Sequence, residues 1–431
     1  MIDLRHALVV LASHMPWQEI KARVAQTFSC KGRAGVAMPD LDLFGEQVQR
    51  AAVASNAGRP RVPLRIMIAL LYLKHAFNES DEGVVERWGE TPTWQFFSGQ
   101  AYFEHHHPCD ATTLVKFRQL LGEEGVEELL AQTINVAVDL KLIKPQELSR
   151  VIVDSTVQHK AIARPTDSHL LETARVKLVE AAKDAGIDLK QTFAKEGQRI
   201  SAQSGQRKAV DGSPKLYAWH APEVHCISTG KARSPYEFGV KVGIASTLKG
   251  NLLVGARAFR GNPYDGHTLS EQLEQATILM QDSTARPTTA FVDLGYRGVD
   301  ADNPQVHIVH RGKAKRISEK KRRLLRRRQA IEPIIGHLKS DHRMDRCHLK
   351  GETGDRLHAV LCAAGYNIRW LLRAITRLGL RGPYYAFSAV IACLAWLLQA
   401  MPQRTRPMKS PRTPKRRPSP NLPSWSLAAI S

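Results

Sequence analysis

VIVD, residues 151–154, sets three branched apolar residues in a row and stops them at a carboxylate. A short apolar run of this kind reads as a buried strand, and an Asp at its end is delivered to the sheet edge where open α/β sheets bind their ligands. The pattern recurs. TAFVD at 289–293 closes on Asp293 in the same way, and FGVKVGIAS at 238–246, LLVGARAF at 252–259 and HIVHR at 307–311 supply further strand-like runs. HTLSEQLEQATILM at 267–280 has helical spacing and falls between them, so strands alternate with helices and the class is α/β with a mixed sheet. Residues 166–215 interrupt this order with a polar, helix-favouring stretch, read as an insertion after the first strand.

Upstream of residue 150 the texture is helical. PLRIMIALLYLKHAF, 63–77, is apolar nearly all round, exceeds a strand's usual length and opens with Pro63, which reads as a buried helix. Ser80 stands where it caps the next helix, SDEGVVERW, and Asp110 precedes the long amphipathic stretch ATTLVKFRQLLGEEGVEELLAQTINVAV. Residues 1–145 are therefore expected to form an all-helical, DNA-binding domain, in which a helix-turn-helix would face Lys116 and Arg118 to phosphate. Residues 146–380 form the α/β domain, and 381–431 add an apolar segment and a basic, Pro-rich tail.

With 431 residues, 43% of them hydrophobic, the chain has material for two or three domains and a sizeable core. Its formal net charge of +21 gathers polyanions and releases their counterions, which points to nucleic acid. Cys30, Cys109, Cys226, Cys347, Cys362 and Cys393 are scattered without a CxxC pair, which argues against a disulfide framework and for reduced thiols. MIDLRHALVVLASHM, at the start of the chain, lacks the basic region and cleavage site of a signal peptide, so a cytoplasmic, nucleoid-associated protein is expected. YYAFSAVIACLAWLLQAM at 384–401 has the length at which a membrane span becomes thinkable, but a buried terminal helix or a loosely packed extension is the preferred reading, and membrane association is not expected. QRTRPMKSPRTPKRRPSPNLP beyond it has the composition of a disordered tail with weak affinity for nucleic acid.

A third acid, Glu332, lies in RRRQAIEPIIGHLK at 326–339. If residues 321–342 form one helix, Arg328, Glu332 and Lys339 share a stripe, and Leu324, Ile331, Ile335 and Leu338 form an apolar seam beside it. Pro333 complicates this, because it makes the helix begin or kink there, and a helix starting near 330 leaves Arg328 off the stripe. Either Asp alone reads first as a turn starter, and Arg328 with Glu332 can be read as a surface ion pair. Taken together, three carboxylates repel one another unless divalent cations neutralise them, which points to Mg²⁺ or Mn²⁺, in two ions, acting on a phosphodiester. The run RGKAKRISEKKRRLLRRR at 311–328, with Lys321, Arg322, Arg323, Arg326 and Arg327, is either a solvated basic patch or, beside such a site, a surface that grips phosphates without reading sequence. His105, His106 and His107 with Cys109 are adjacent rather than spaced for zinc, and KLYAWHAPEVH at 215–225 reads as packing rather than base stacking.

The order Asp, Asp, Glu comes with five ordered motifs: LRIMIALLYL with DATTLVKFR, DSTVQ from Asp154, NPYDGHTL at 262–269, DLGYRG at 293–298, and RRQAIEPIIGHLK around Glu332. In these, over residues 60–375, the chain resembles the DDE transposases of bacterial insertion sequences, in the branch named after insertion sequence 5. The resemblance implies an RNase H-like core, a metal site made by Asp154, Asp293 and Glu332, hydrolysis of a phosphodiester at an element end, and attack of the freed 3′-hydroxyl on target DNA. It also implies double-stranded DNA as partner and a homodimer or higher synaptic assembly on paired ends. The related signature Tyr-x2-Arg-x3-Glu-x6-Lys falls on Arg328, Glu332 and Lys339, of which Arg328 and Lys339 would grip the end's phosphates, with Leu325 in place of the Tyr. The alternatives are a structure-selective nuclease of similar fold and a catalytically silent DNA-binding protein derived from a transposase.

Overall fold

The branched residues of VIVD do start a strand, β1 (Arg150–Lys160), but the strand does not stop at Asp154. STVQHK continues it because β3 (Tyr236–Thr247) pairs antiparallel along nearly its whole length, from Val151 opposite Thr247 to His159 opposite Gly239. Gly239 makes the last of these pairs possible, since a Cβ there would run into the Gln158 carbonyl. On the other side the cover is short. β5 (Thr289–Phe291) runs parallel to β1 and pairs only with Arg150, Val151 and Ile152, and β6 (His307–Val309) lies parallel to β5. Among the described residues, no strand pairs with that side of β1 past Ile152 until β7 (Arg346–Cys347) meets His159 and Lys160. Asp154 therefore sits in a window in the middle of a strand, not at its end. β2 (His225–Ser228) and β4 (Leu253–Phe259) share the far edge of β3, so the mixed sheet runs β2-β3-β1-β5-β6, with β4 also on β3 and β7 also on β1.

The computed structural model describes residues 2–27, 62–195, 216–228, 235–296, 298, 303–310 and 318–380, without the side chains of Lys320 and Lys321. The basic run up to residue 317, most of the expected insertion beyond 195, the apolar segment 384–401 and the tail lie outside the described residues. Among those described, no helix is long and apolar enough to cross a membrane.

Helices form where capping and apolar spacing place them. Leu64–Ala76 begins after Pro63 and is buried from Ile66 onward, and Ser80 Oγ accepts from the Gly83 N–H at 2.8 Å to open Asp81–Glu90. Ala111–Asp139 is kinked at Gly122, whose φ of 66° a helix interior does not allow. The Gly351–Leu378 helix packs against Leu64–Ala76, Ala111–Asp139 and β4, and Asp265–Leu279 packs against β4 and β3. One hydrophobic core runs from Leu8 and Leu70 through Val151 and Ile244 to Leu361. The change from helices to strands near residue 150 is thus a change of texture within shared packing.

Three buried charges fasten β1 to the Gly351–Leu378 helix. Lys160 Nζ meets Glu223 Oε1 at 2.7 Å and Asp355 Oδ1 at 2.8 Å, all three side chains being buried. Burial works against the lysine's charge, but the hydrogen bonds to Asp355 and Glu223 outweigh it and hold the amine above its ordinary range. Glu223 comes from the KLYAWHAPEVH stretch, where Ala218, Ala221 and Val224 make a small cluster with Tyr217 and Phe238.

Candidate active site

The parallel register brings the two aspartates together. Ile152 lies opposite Phe291, and two residues further on from each stand Asp154, still in β1, and Asp293, just past the end of β5. A single cation spans them: Arg328 Nη1 lies 3.1 Å from Asp154 Oδ2, and Nη2 lies 3.3 Å from Asp293 Oδ1. The Asp154 side chain is 22% exposed and that of Asp293 56%. Burial pushes the Asp154 carboxyl above its ordinary range, against the Ser155 N–H donating at 2.9 Å and the Arg328 charge, and Asp293 adds repulsion.

Arg328 and Glu332 do not share one helix. Glu319–Arg328 ends and Ile331–Asp341 begins around Gln329 and Ala330, so the continuous helix expected over 321–342 is two. The cause is Pro333, third residue of the second helix, which has no N–H for the Gln329 carbonyl and whose ring would crowd it. Tight turn bonds replace the ladder there: Gln329 N–H to the Arg326 carbonyl at 3.2 Å, Ala330 N–H to Arg327 at 3.0 Å, and Glu332 N–H to Gln329 at 3.2 Å. The seam that docks the second helix is Ile331, Ile334 and Leu338, with Ile335 only half-buried. Glu332 opens this helix and is exposed.

The structure thus joins Asp154, Asp293 and Arg328, and leaves Glu332 on the adjoining helix outside their contact. Among the described residues, the one set of three His, Cys, Asp or Glu with ligand atoms within 4.8 Å of one another is His75, His358 and Cys362. That set lies in the core. Cys362 Sγ meets His75 Nδ1 at 3.6 Å, His358 Nε2 meets the Arg343 carbonyl at 2.8 Å, and burial keeps both imidazoles and the thiol neutral. With Cys362 against His75 and His358 against a backbone carbonyl, the set reads as a core network. The aspartates present the chemistry a divalent cation takes, hard oxygen donors converging on one centre of positive charge, which the guanidinium here supplies.

Asp265, in NPYDGHTL, carries no role in the sequence reading yet bonds to Ser155, the residue after Asp154. Its Oδ1 accepts from Ser155 Oγ at 2.8 Å and Lys241 Nζ at 3.1 Å, and Lys241 also donates to the Pro263 carbonyl at 2.7 Å. Gly295 of DLGYRG comes so close that an added Cβ would lie 3.0 Å from Asp265 Oδ2. Two motifs separated in sequence therefore interlock against one aspartate, a relation that spacing along the chain does not carry.

The basic residues divide. Arg118, expected to face phosphate, is 2% exposed, and its two terminal nitrogens donate to the two Asp81 carboxylate oxygens at 3.1 Å each. Lys74 Nζ joins Asp81 Oδ1 at 2.7 Å. Arg118 is a core ion pair, because the helix face carrying it is also the face that packs. Replacing it with Ala is expected to destabilise the fold by about 2 to 3 kcal/mol, by leaving a buried carboxylate with Lys74 alone. Thermal unfolding checks the cost, and DNA affinity of the folded protein should be unchanged. Arg327 is exposed and also engaged, donating to the Leu248 carbonyl at 3.2 Å and the Lys249 carbonyl at 3.0 Å, which ties its helix to the end of β3. Lys116, Arg322, Arg323 and Arg326 are exposed, Lys339 is half-buried, and the Lys321 side chain lies outside the described residues.

Residues 37–120 match the transposase domain DUF772, and residues 298–372 match a transposase DDE domain. The first match covers most of the helical part, and the second covers Glu332 and the helices around it. Over 203 residues the chain is 40% identical to an uncharacterized protein, ORF8 in the nfe locus of Rhizobium meliloti, a span of 47% of this chain and 86% of that protein. No solved structure matches. The chain thus carries a DUF772 transposase domain followed by a transposase DDE domain, and it belongs to one family with the uncharacterized ORF8 protein.

Proposed function

We propose that this chain is a DDE transposase of the insertion sequence 5 branch, which cuts double-stranded DNA at the ends of its element and joins the freed ends to target DNA. One observation carries the reading: Asp154 and Asp293, 139 residues apart, converge on the guanidinium of Arg328 at the foot of the helix that Glu332 opens. The strand order supports an RNase H-like core, since antiparallel β4, β3 and β1 continue into parallel β5 and β6, with the first acid on the central strand.

In this reading Asp154, Asp293 and Glu332 hold Mg²⁺ or Mn²⁺, as two ions. When bound, such ions activate an attacking oxygen and stabilise a leaving one in an in-line displacement at phosphorus. Asp154 is fixed for this by its own strand and by the Ser155 N–H. Asp265, through Ser155 and Lys241, is a positioning residue that keeps that strand segment from turning. Arg328 exchanges its carboxylate partners for a DNA phosphate, and Lys339, Arg322, Arg323 and Arg326 hold backbone beyond it. Lys116 and the helical part engage the element end, and two or more copies act on paired ends in the cytoplasm, at the nucleoid.

Incubation with Mg²⁺ and a labelled duplex carrying an element end tests this directly. The expected products are a nicked or cleaved end and a strand joined to a second duplex. Hydrolysis without joining points to the nuclease, and binding without either product to the silent DNA-binding protein.

A further inference from the structure

Two cavities of about 460 and 570 Å³ adjoin beside the Ile331–Asp341 helix and share Asp345 and Arg346. The smaller is lined by Lys339, Ser340, Arg343, Arg346 and His348, and the larger continues to Arg164 at the far end of β1. Positive charge dominates this lining. Asp345 and Glu237 are the acids in it, and Glu237 is buried with an oxygen 3.4 Å from His159 Nε2. The crowding acts on His348, which is held below the ordinary histidine range by burial and then by Arg343, Arg346 and Lys74.

The groove is also shaped against local preference. Arg343 sits at φ 68° and Asn78 at φ 61°, conformations that side-chain-bearing residues rarely adopt. The two are tied together: Arg343 Nη1 donates to the Asn78 carbonyl at 3.2 Å, and Asn78 Nδ2 donates to the Ser340 carbonyl at 3.1 Å. These bonds hold the turn after the Glu332 helix so that Arg343 lines the groove instead of continuing the helix.

Lys339 stands two turns beyond Glu332 on one helix, about 10 Å along its axis. One strand of B-DNA carries a phosphate every ~3.4 Å of duplex axis, so that offset corresponds to about three nucleotides. We propose that the groove of Lys339, Arg343, Arg346 and His348 is a second phosphate-binding track, which takes the backbone of duplex DNA about three nucleotides from the phosphate that reacts. The inference rests on the transposase reading for the identity of the polyanion, and adds Arg343, Arg346 and His348, none of them evident from the sequence.

The test is the salt dependence of binding to a fluorescent duplex, followed by anisotropy. Lys339→Gln with Arg346→Gln should reduce the slope of log affinity against log salt by roughly 2, and lower affinity at about 0.1 M salt by at least tenfold. Lys177→Gln with Lys183→Gln, two exposed positions on Asp167–Asp184, removes the same charge elsewhere and should leave the slope alone. Arg346→Lys, which keeps the charge, should retain it too, separating lost phosphate contact from lost folding. An unchanged slope in the groove variant, or an equal fall in the control, overturns the proposal. Failure of the transposase reading looks different: wild-type protein would bind with the groove-dependent slope and yet neither cut nor join.

Discussion

Asp154→Asn should abolish cleavage of an element-end duplex in Mg²⁺, by roughly 10³-fold or more, the size expected when one charged member of a catalytic unit is removed. Asn keeps the shape of the side chain and an oxygen for the Ser155 N–H, so β1 and its pairing with β3 stay intact. What is lost is the charge. The site then has one carboxylate fewer for a hard cation, and Arg328 keeps Asp293 as its sole charged partner in the pair. Because burial already disfavours charge at Asp154, the neutral variant should unfold within a few degrees of wild type. Gel analysis of the labelled strand, anisotropy for binding and thermal unfolding together separate chemistry from folding. A variant that still cuts would remove Asp154 from the chemistry altogether.

The parts of the fold that were legible were those written in local pattern. PLRIMIALLYLKHAF and SDEGVVERW carry their own start signals, and the runs at 238–246, 252–259, 289–293 and 307–311 each coincide with all or part of a strand of the sheet. The extent of β1 was not legible, because STVQHK is too polar to look like a strand and becomes one only through β3. Register explains the aspartates similarly. VIVD and TAFVD each advertise a carboxylate, but only the parallel pairing of Ile152 with Phe291 makes them neighbours. Arg118 failed as a phosphate contact for the converse reason: a charged residue in an amphipathic helix looks exposed until Asp81, from another helix, is found against it. Pro333 did announce the break in the run around Glu332, and the consequence for Arg328, at the end of a separate helix, follows from the same proline.

That separation makes Arg328→Ala the second large effect, and its signs differ between readouts. In the protein without DNA the guanidinium balances two carboxylates that would otherwise repel, so its loss should lower stability in metal-free buffer by about 1 kcal/mol, discounted because Asp293 is half exposed. The same loss frees both carboxylates, so Mn²⁺ should bind roughly tenfold more tightly and recover the lost stability by mass action. Cleavage should nonetheless fall by about 10³-fold, because an arginine that can reach a reacting phosphate supplies positive charge where negative charge develops. Calorimetric Mn²⁺ titration, unfolding with and without Mn²⁺, and duplex cleavage measure the three signs. If Mn²⁺ binds Arg328→Ala no better than wild type, the guanidinium and the metal do not compete for the aspartates. If Mn²⁺ binding tightens and cleavage rises too, Arg328 is only a barrier to metal and grips no phosphate. Tighter Mn²⁺ binding with a loss of cleavage is the combination that follows from one cation with two successive partners, the aspartates first and the DNA backbone second.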